Sequence, residues 1–176
     1  MVELYNFKKS NEMFDYAKQL IPGGVQASRR PFVPGLSPVY MVRGKGARCW
    51  DVDGNDYIDY TLSLGPVILG YAYPRVNEAV AEALESGVVF TNNHPVQNEL
   101  AEKLRNLVPS AEMSTFFKSG SDATSAAVRI AKTYTVREKV ARCGYHGWHD
   151  WCCPNEKGVP KILNDYVFGF DGNKPE

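Results

Sequence analysis

The sequence predicts an α/β protein: a small antiparallel β meander near its start, then a mainly parallel sheet with helices, left incomplete. Three observations carry this expectation. Between Val39 and Tyr60, short β-prone runs alternate with turn residues, among them Asp53-Gly54, a pair suited to a tight hairpin turn. From Pro74 onward, apolar residues recur at helical spacing in successive segments separated by short strand-like runs, the order of βα units. Few such strands precede residue 150, whereas sheets usually hold about five, so the sheet reads as unfinished.

The elements follow in order. From about Phe7 to Leu20, Phe7, Phe14, Ala17 and Leu20 (with Met13 beside them) share one helical face, and Lys8, Lys9, Glu12 and Asp15 point elsewhere. Pro22-Gly23-Gly24 stops this helix, and a polar stretch with Arg29, Arg30, Pro31, Pro34 and Gly35 reads as a loop. The meander comprises Val39–Val42, a turn at Gly44-Lys45-Gly46, Ala47–Trp50, the Asp53-Gly54-Asn55 turn and Tyr57–Tyr60. Pro74 then stands at a helix's first position, and Val76, Ala79, Val80, Ala83 and Leu84 form its apolar stripe, ended by Gly87. A second helix runs from Pro95 through Leu107. A strand at Met113–Phe117, a third helix over about Asp122–Tyr134 and a strand at Lys139–Cys143 complete the pattern. We divide the chain into residues 1–62, holding helix, loop and meander, and residues 63–176, an incomplete ligand-binding domain.

Composition excludes several classes. Hydrophobic residues make up 44% and charged residues 23% of the 176, the balance of a globular chain rather than a disordered one. Lys+Arg and Asp+Glu both number 20, so no excess of positive charge points to nucleic acid or an acidic membrane. The longest aliphatic run, Val67-Ile68-Leu69, is too short to span a bilayer, and the N-terminus has no signal-peptide core. Cys143, Cys152 and Cys153 cluster, and two are adjacent, unlike a secreted disulfide framework; reduced thiols and a cytoplasmic location are expected.

Two stretches could carry chemistry. Lys118-Ser119-Gly120-Ser121-Asp122 lies between a strand and a helix. Such a turn presents unpaired N–H groups and the positive end of the helix dipole to an anion, with hydroxyls from Ser119 and Ser121. An ordinary Ser/Gly helix cap explains the same residues. The second stretch, Cys143-Gly144-Tyr145-His146-Gly147-Trp148-His149-Asp150-Trp151-Cys152-Cys153, follows a strand at the end where α/β sheets bind ligands. Its rings suit stacking on a flat cofactor, or simple packing. Cys143, His146, His149 and Cys152 recur every third residue, but the spacing fits no standard zinc pattern, and no metal is expected. Asp51, Asp53, Asn55 and Asp59 lack the closing Glu of a twelve-residue calcium loop, and the hairpin explains them better.

In order as well as type, these stretches resemble the class III aminotransferases, on the branch that includes the glutamate-1-semialdehyde aminomutases. The resemblance rests on Ile21-Pro22-Gly23-Gly24-Val25, on Val42–Ala47 leading into Trp50–Asp59, on Gly65–Gly70, on Phe117–Ala123 and on Gly144–Asp150. It covers roughly residues 10 to 153. It implies the fold-type-I architecture, pyridoxal 5'-phosphate as cofactor, a small-molecule amino donor with a carbonyl or semialdehyde substrate, and a homodimer. Residue by residue, it implies that Ser119, Gly120 and Ser121 bind the cofactor phosphate. Tyr145 would stack on the pyridine ring, His146 would help shape the pocket, and Arg30 would recognise a substrate carboxylate. Such enzymes are more than twice as long, and their later half supplies the Schiff-base lysine and the aspartate that holds the pyridinium nitrogen. The chain therefore reads as the N-terminal part of such an enzyme, with no catalytic lysine of its own and no activity alone. Gly70-Tyr71-Ala72-Tyr73-Pro74, Leu64 and Lys118 depart from the aminomutase pattern and favour an aminotransferase with another substrate; a fragment of the aminomutase itself, and a non-catalytic remnant or metal-binding module around residues 143–153, are the alternatives.

Overall fold

Helix α1 spans Lys8–Leu20, and its start is closed from a distance. Phe7, the residue before it, makes no side-chain cap. Instead the carboxylate of Asp53, from the meander, accepts the N–H of Lys9 at 2.7 Å and of Ser10 at 2.8 Å, two first-turn donors that have no helical partner. Burial pushes the Asp53 carboxyl up, but the bonds from Ser10 and Lys9 and the Lys9 charge outweigh it and hold the group below its ordinary value. The computed structural model describes residues 5–25, 40–145, 147–153 and 157–174. They fall into two compact units, Met1–Thr91 and Asn92–Glu176.

In the first unit, α1 buries Ser10, Phe14 and Ala17, one stripe at spacings of four and three. The expected face is corrected here: Met13 and Leu20 are exposed, because the stripe turns toward Ser10, where Asp53 holds the helix. The helix stops at a 3₁₀ turn over Pro22–Gly24, in which Gly23 and Gly24 both have positive φ. A Cβ on Gly24 would lie 2.7 Å from the Phe14 ring, so only glycine lets the chain turn back over that side chain.

Three antiparallel strands form the meander: β1 (Met41–Lys45), β2 (Arg48–Asp51) and β3 (Asp56–Ile58), in that order. The expected turn at Gly44-Lys45-Gly46 narrows to Gly46, since β1 continues through Lys45. Gly44 is small for another reason: a Cβ there would meet the Tyr71 ring at 2.4 Å. The Arg43 guanidinium lies 3.8 Å above the Trp50 ring, its cross-strand partner. Asp51 is buried and saturated: it accepts from the N–H groups of Asp53 and Asn55, from Asn55 Nδ2 and from Tyr57 Oη. Burial, then the bond to Asp51, pushes the Tyr57 hydroxyl well above its ordinary value. These acids organise the hairpin. Helix α2 (Pro74–Glu85) follows, with proline at its first position as the sequence predicts, and its stripe Val76, Val80 and Leu84 is exposed.

The second unit opens with α3 (Pro95–Leu107), capped reciprocally: His94 Nδ1 accepts from Val96 N–H and Gln97 Oε1 accepts from His94 N–H. Met113–Phe117, expected as a strand, is unpaired chain, and no strand lies beside it among the described residues. Helix α4 (Gly120–Thr135) follows, then β4 (Val140–Arg142). The tail supplies an unexpected strand, β5 (Val167–Gly169), parallel to β4 in the register Val140↔Val167. Only three residues long, β5 is too short for a period-2 pattern to stand out, yet Val167 is buried. The architecture is thus α/β, with one antiparallel and one parallel sheet. No described helix is long and apolar enough to cross a membrane.

Candidate functional site

The first two turns of α4 and the segment after β4 form one hydrogen-bonded assembly in the second unit. Ser119 is the N-cap of α4, in extended conformation, and its Oγ accepts the N–H of Asp122 at 3.2 Å. The same hydroxyl donates its hydrogen to Asp122 Oδ2 at 2.6 Å. The N–H groups of Gly120 and Ser121 open the helix and have no carbonyl one turn back to bond. A Cβ on Gly120 would enter open space, so the glycine leaves room beside these donors. Ser121 Oγ accepts the N–H of Trp148 at 3.2 Å, which leaves its own hydrogen for another acceptor. A turn of this kind suits a phosphate or carboxylate.

One turn later, the helix grips the aromatic segment. Thr124 Oγ1 lies 2.9 Å from Gly120 O and 2.8 Å from Tyr145 Oη. Thr124 has one hydrogen, which it gives to the Gly120 carbonyl, so the tyrosine hydroxyl is the donor in the second bond. The Tyr145 ring stacks on Trp151, centroids 5.7 Å apart and planes 16° from parallel. Trp151 Nε1 donates to Ser125 Oγ at 2.8 Å, and Ser125 Oγ lies 2.6 Å from His149 Nδ1. Because an indole only donates, Ser125 Oγ is the acceptor toward Trp151, its role toward Nδ1 is set by the histidine tautomer, and the remaining ring nitrogen is Nε2. That nitrogen faces Asp122 Oδ1 at 3.6 Å, beyond a direct hydrogen bond.

The loop between them is held from behind. Gly144 has φ +68°, and an Arg142 guanidinium nitrogen donates to Tyr145 O at 2.9 Å. A Cβ on Gly147 would lie 2.4 Å from the Tyr145 hydroxyl, so the loop packs against its own tyrosine. Cys152 is buried, its Sγ directed at the carbonyls of Gly147 and His149, and burial pushes the thiol up. Cys143, Cys152 and Cys153 are free thiols. Among the described residues, no group of three or more His, Cys, Asp or Glu is placed to hold a metal ion.

Of the residues singled out from sequence, Ser119, Gly120, Ser121 and Tyr145 are thus bound to the same two helical turns. Arg30 and His146 lie outside the described residues. Sequence reasoning passed over Asp122, Thr124, Ser125, His149 and Trp151 as a group. The available signal was two adjacent hydroxyl residues, Thr124 and Ser125, interrupting an alanine-rich helix one turn after its cap.

A sequence profile of the family described as aminotransferase class-III matches residues 33–154, well over half of the chain. The chain belongs to the class III aminotransferase family. Among class III relatives, a 3-aminobutyryl-CoA aminotransferase of Cloacimonas acidaminovorans is 45% identical over 176 residues, covering 98% of this chain and 42% of the relative. A glutamate-1-semialdehyde 2,1-aminomutase of Desulforamulus reducens is 43% identical over 149 residues, covering 82% of this chain and 34% of that protein. An omega-transaminase from Sphaerobacter thermophilus superposes with a TM-score of 0.87 at 29% identity, over 95% of this chain and 43% of its own. A transaminase solved with PLP bound gives 0.89 at 32% identity, over 97% and 43%. The chain spans about two fifths of the length of these proteins.

Proposed function

We propose that these residues form the phosphate-binding and ring-stacking side of a class III aminotransferase site for pyridoxal 5'-phosphate. One observation carries the reading: the anion-suited turn at Ser119–Ser121 and the aromatic ring of Tyr145 are fastened to the same two turns of α4. The donors fit the group. The backbone N–H groups of Gly120 and Ser121, with the free hydrogen of Ser121 Oγ, receive the phosphate, and the open space beside Gly120 admits it. Tyr145, whose ring is backed by Trp151, would hold the pyridine ring by stacking. When bound, the cofactor supplies the electron sink for amino-group transfer. His146 shapes the pocket, Arg30 receives a substrate carboxylate, and the lysine that bonds the cofactor belongs to sequence outside these residues.

We assign the working protein to transfer between a small-molecule amino donor and a carbonyl or semialdehyde, as a cytoplasmic homodimer. Residues 1–62 serve it as scaffold and residues 63–176 as part of the cofactor domain. Transfer is favoured over the aminomutase isomerisation because the Cloacimonas aminotransferase is 45% identical over 98% of the chain, whereas aminomutases matched over 93% and 95% of it are 39% and 38% identical. A 3-aminoacyl thioester is therefore the first amino substrate to try.

The test uses the full-length gene product. Wild type is expected to bind pyridoxal 5'-phosphate at least tenfold more tightly than pyridoxal, which lacks the phosphate. Gly120→Val, whose side chain would occupy the space beside the donors, should erase that preference. Equal affinity for the two compounds in the wild type would defeat the assignment of the turn.

A further inference from the structure

We propose that His149 is a positioning residue that fixes the plane of the Tyr145 ring through Ser125 and Trp151; this rests on the cofactor reading above. Tyr145 is held at two places. Its hydroxyl is tied to Thr124, and its ring lies against Trp151. A hydroxyl bond alone leaves a tyrosine free to swing about its long axis, so the ring plane depends on the surface behind it. That surface is the Trp151 indole, which is itself pinned at one polar atom, Nε1, by Ser125 Oγ.

Ser125 meets the indole only while its Oγ is held in the rotamer that faces Trp151. Helical Ser and Thr side chains otherwise turn back to the carbonyl one turn earlier, as Thr124, Thr133 and Thr135 do here. His149 Nδ1, bonded to Ser125 Oγ at 2.6 Å, fixes that rotamer and holds the oxygen toward the indole. The other ring nitrogen faces Asp122 at 3.6 Å, and Asp122 in turn holds the hydroxyl of Ser119. The series from the anion-suited turn to the stacking ring is Ser119, Asp122, His149, Ser125, Trp151, Tyr145, with its one approach longer than a hydrogen bond between Asp122 and His149. A bound phosphate that draws the Ser119 hydrogen away leaves Asp122 with His149 as its remaining side-chain partner here, which tightens the histidine as the ring site fills.

The groups facing His149 are Ser125 and Asp122 from α4, and the Sγ atoms of Cys152 and Cys153 that donate to its carbonyl from its own segment. None of them is a cofactor-bonding lysine or a metal ligand. Its role is positional.

The experiment compares full-length wild type, His149→Ala, His149→Asn and Thr124→Val. Two quantities are read: visible circular dichroism per bound pyridoxal 5'-phosphate, which reports ring orientation, and competition by inorganic phosphate, which reports the turn. His149→Ala is expected to lose at least half of the dichroic amplitude while phosphate competition stays within about twofold of wild type. His149→Asn, whose side-chain amide can bond Ser125 Oγ in place of Nδ1, should recover more than half of the lost amplitude. Unchanged dichroism in His149→Ala overturns the proposal, as does a parallel fall in both readouts with no recovery in His149→Asn. If His149→Ala does not fold, Thr124→Val, which removes one hydroxyl at constant shape, reads the ring from its other anchor. Loss of dichroism there with recovery in His149→Asn upholds the proposal, and wild-type dichroism there ends it. Wild-type protein that binds no pyridoxal 5'-phosphate would remove the cofactor reading itself, a result separate from any variant.

Discussion

Gly147→Ala gives the sharpest access to the position of Tyr145. The added Cβ would stand 2.4 Å from the tyrosine hydroxyl, 2.7 Å from Cζ and 2.8 Å from Cε1. Carbon atoms in contact settle at about 3.5 Å or more, so the end of the ring must retreat by roughly 1 Å. That retreat competes with the 2.8 Å bond to Thr124 and with the Trp151 stack, which fix the ring from two sides. Gly147 does not occupy the left-handed region, so alanine meets no backbone penalty and the effect is steric. Overpacking of this kind costs about 1–3 kcal/mol, equivalent to about a 5- to 150-fold weaker hold on a ligand that needs the ring in place. The assay is titration of the full-length apo protein with pyridoxal 5'-phosphate, followed by cofactor absorbance. The control is Tyr145→Ala, alone and combined with Gly147→Ala. If the glycine matters through the tyrosine, the double variant is no weaker than Tyr145→Ala. Wild-type affinity in Gly147→Ala, or additive losses in the double variant, would refute the reasoning.

The remaining expectations concern the scaffold. Asp53→Ala should cost about 1–2 kcal/mol and accelerate amide exchange at Lys9 and Ser10 more than at the C-terminal end of α1, because it uncaps those two donors; equal protection at both ends would contradict the remote cap. Asp53 and Asp59 both sit below the usual carboxylate value in the folded chain, so the stability they add is present above an unfolded value of about 3.9 and is lost as pH falls through their lower folded values. Acid unfolding followed by Trp50 fluorescence should therefore lose steepness in Asp53→Asn/Asp59→Asn, and an unchanged acid limb would count against both assignments. Leu64→Gly should raise stability by roughly 0.5–1 kcal/mol, since glycine relieves its positive φ, and denaturant titration reads the sign.

Local chemistry was legible in the sequence, and contact across twenty or more residues was not. Pro74 and Pro95 at helix starts, Gly23-Gly24 at a helix end and Asp53-Gly54 in the hairpin each act on their immediate neighbours, and each element lies where those residues put it. The cap at Ser119 was legible for the same reason. By contrast, the face of α1 was misread because Asp53, more than forty positions away, decides that Ser10 rather than Leu20 turns inward. Thr124 to Tyr145, Ser121 to Trp148 and Ser125 to Trp151 span 21, 27 and 26 positions, and no periodicity records such pairs. The family resemblance supplied the roles of Ser119 to Ser121 and Tyr145. It said nothing of the residues that hold them, since a motif records which side chain meets the ligand and not what stands behind it.

The same distinction bears on substrate. Gly70-Tyr71-Ala72-Tyr73-Pro74 departs from the aminomutase pattern, and from sequence alone that change argues for a different substrate. In the structure, Tyr71 is fully engaged in the meander: its ring lies against Gly44, its hydroxyl donates to Asp59 at 2.7 Å, and its backbone bridges to Gly46. A residue so placed explains the glycine at position 44 and carries little weight about what the enzyme binds. Leu62, Ser63 and Leu64 are the opposite case. All three hold positive φ, at a cost of about 1–2 kcal/mol each for side chains that gain nothing from the left-handed region. Asp59 fixes the entry to this turn by accepting the N–H groups of Thr61 and Leu62, and the large Leu64 side chain is left exposed. Strain held by a carboxylate that also anchors Tyr71, on a segment with no buried residue, is hard to account for as packing alone. Of the two departures, the one at Leu64 is therefore the better place to look for a functional difference from the aminomutases.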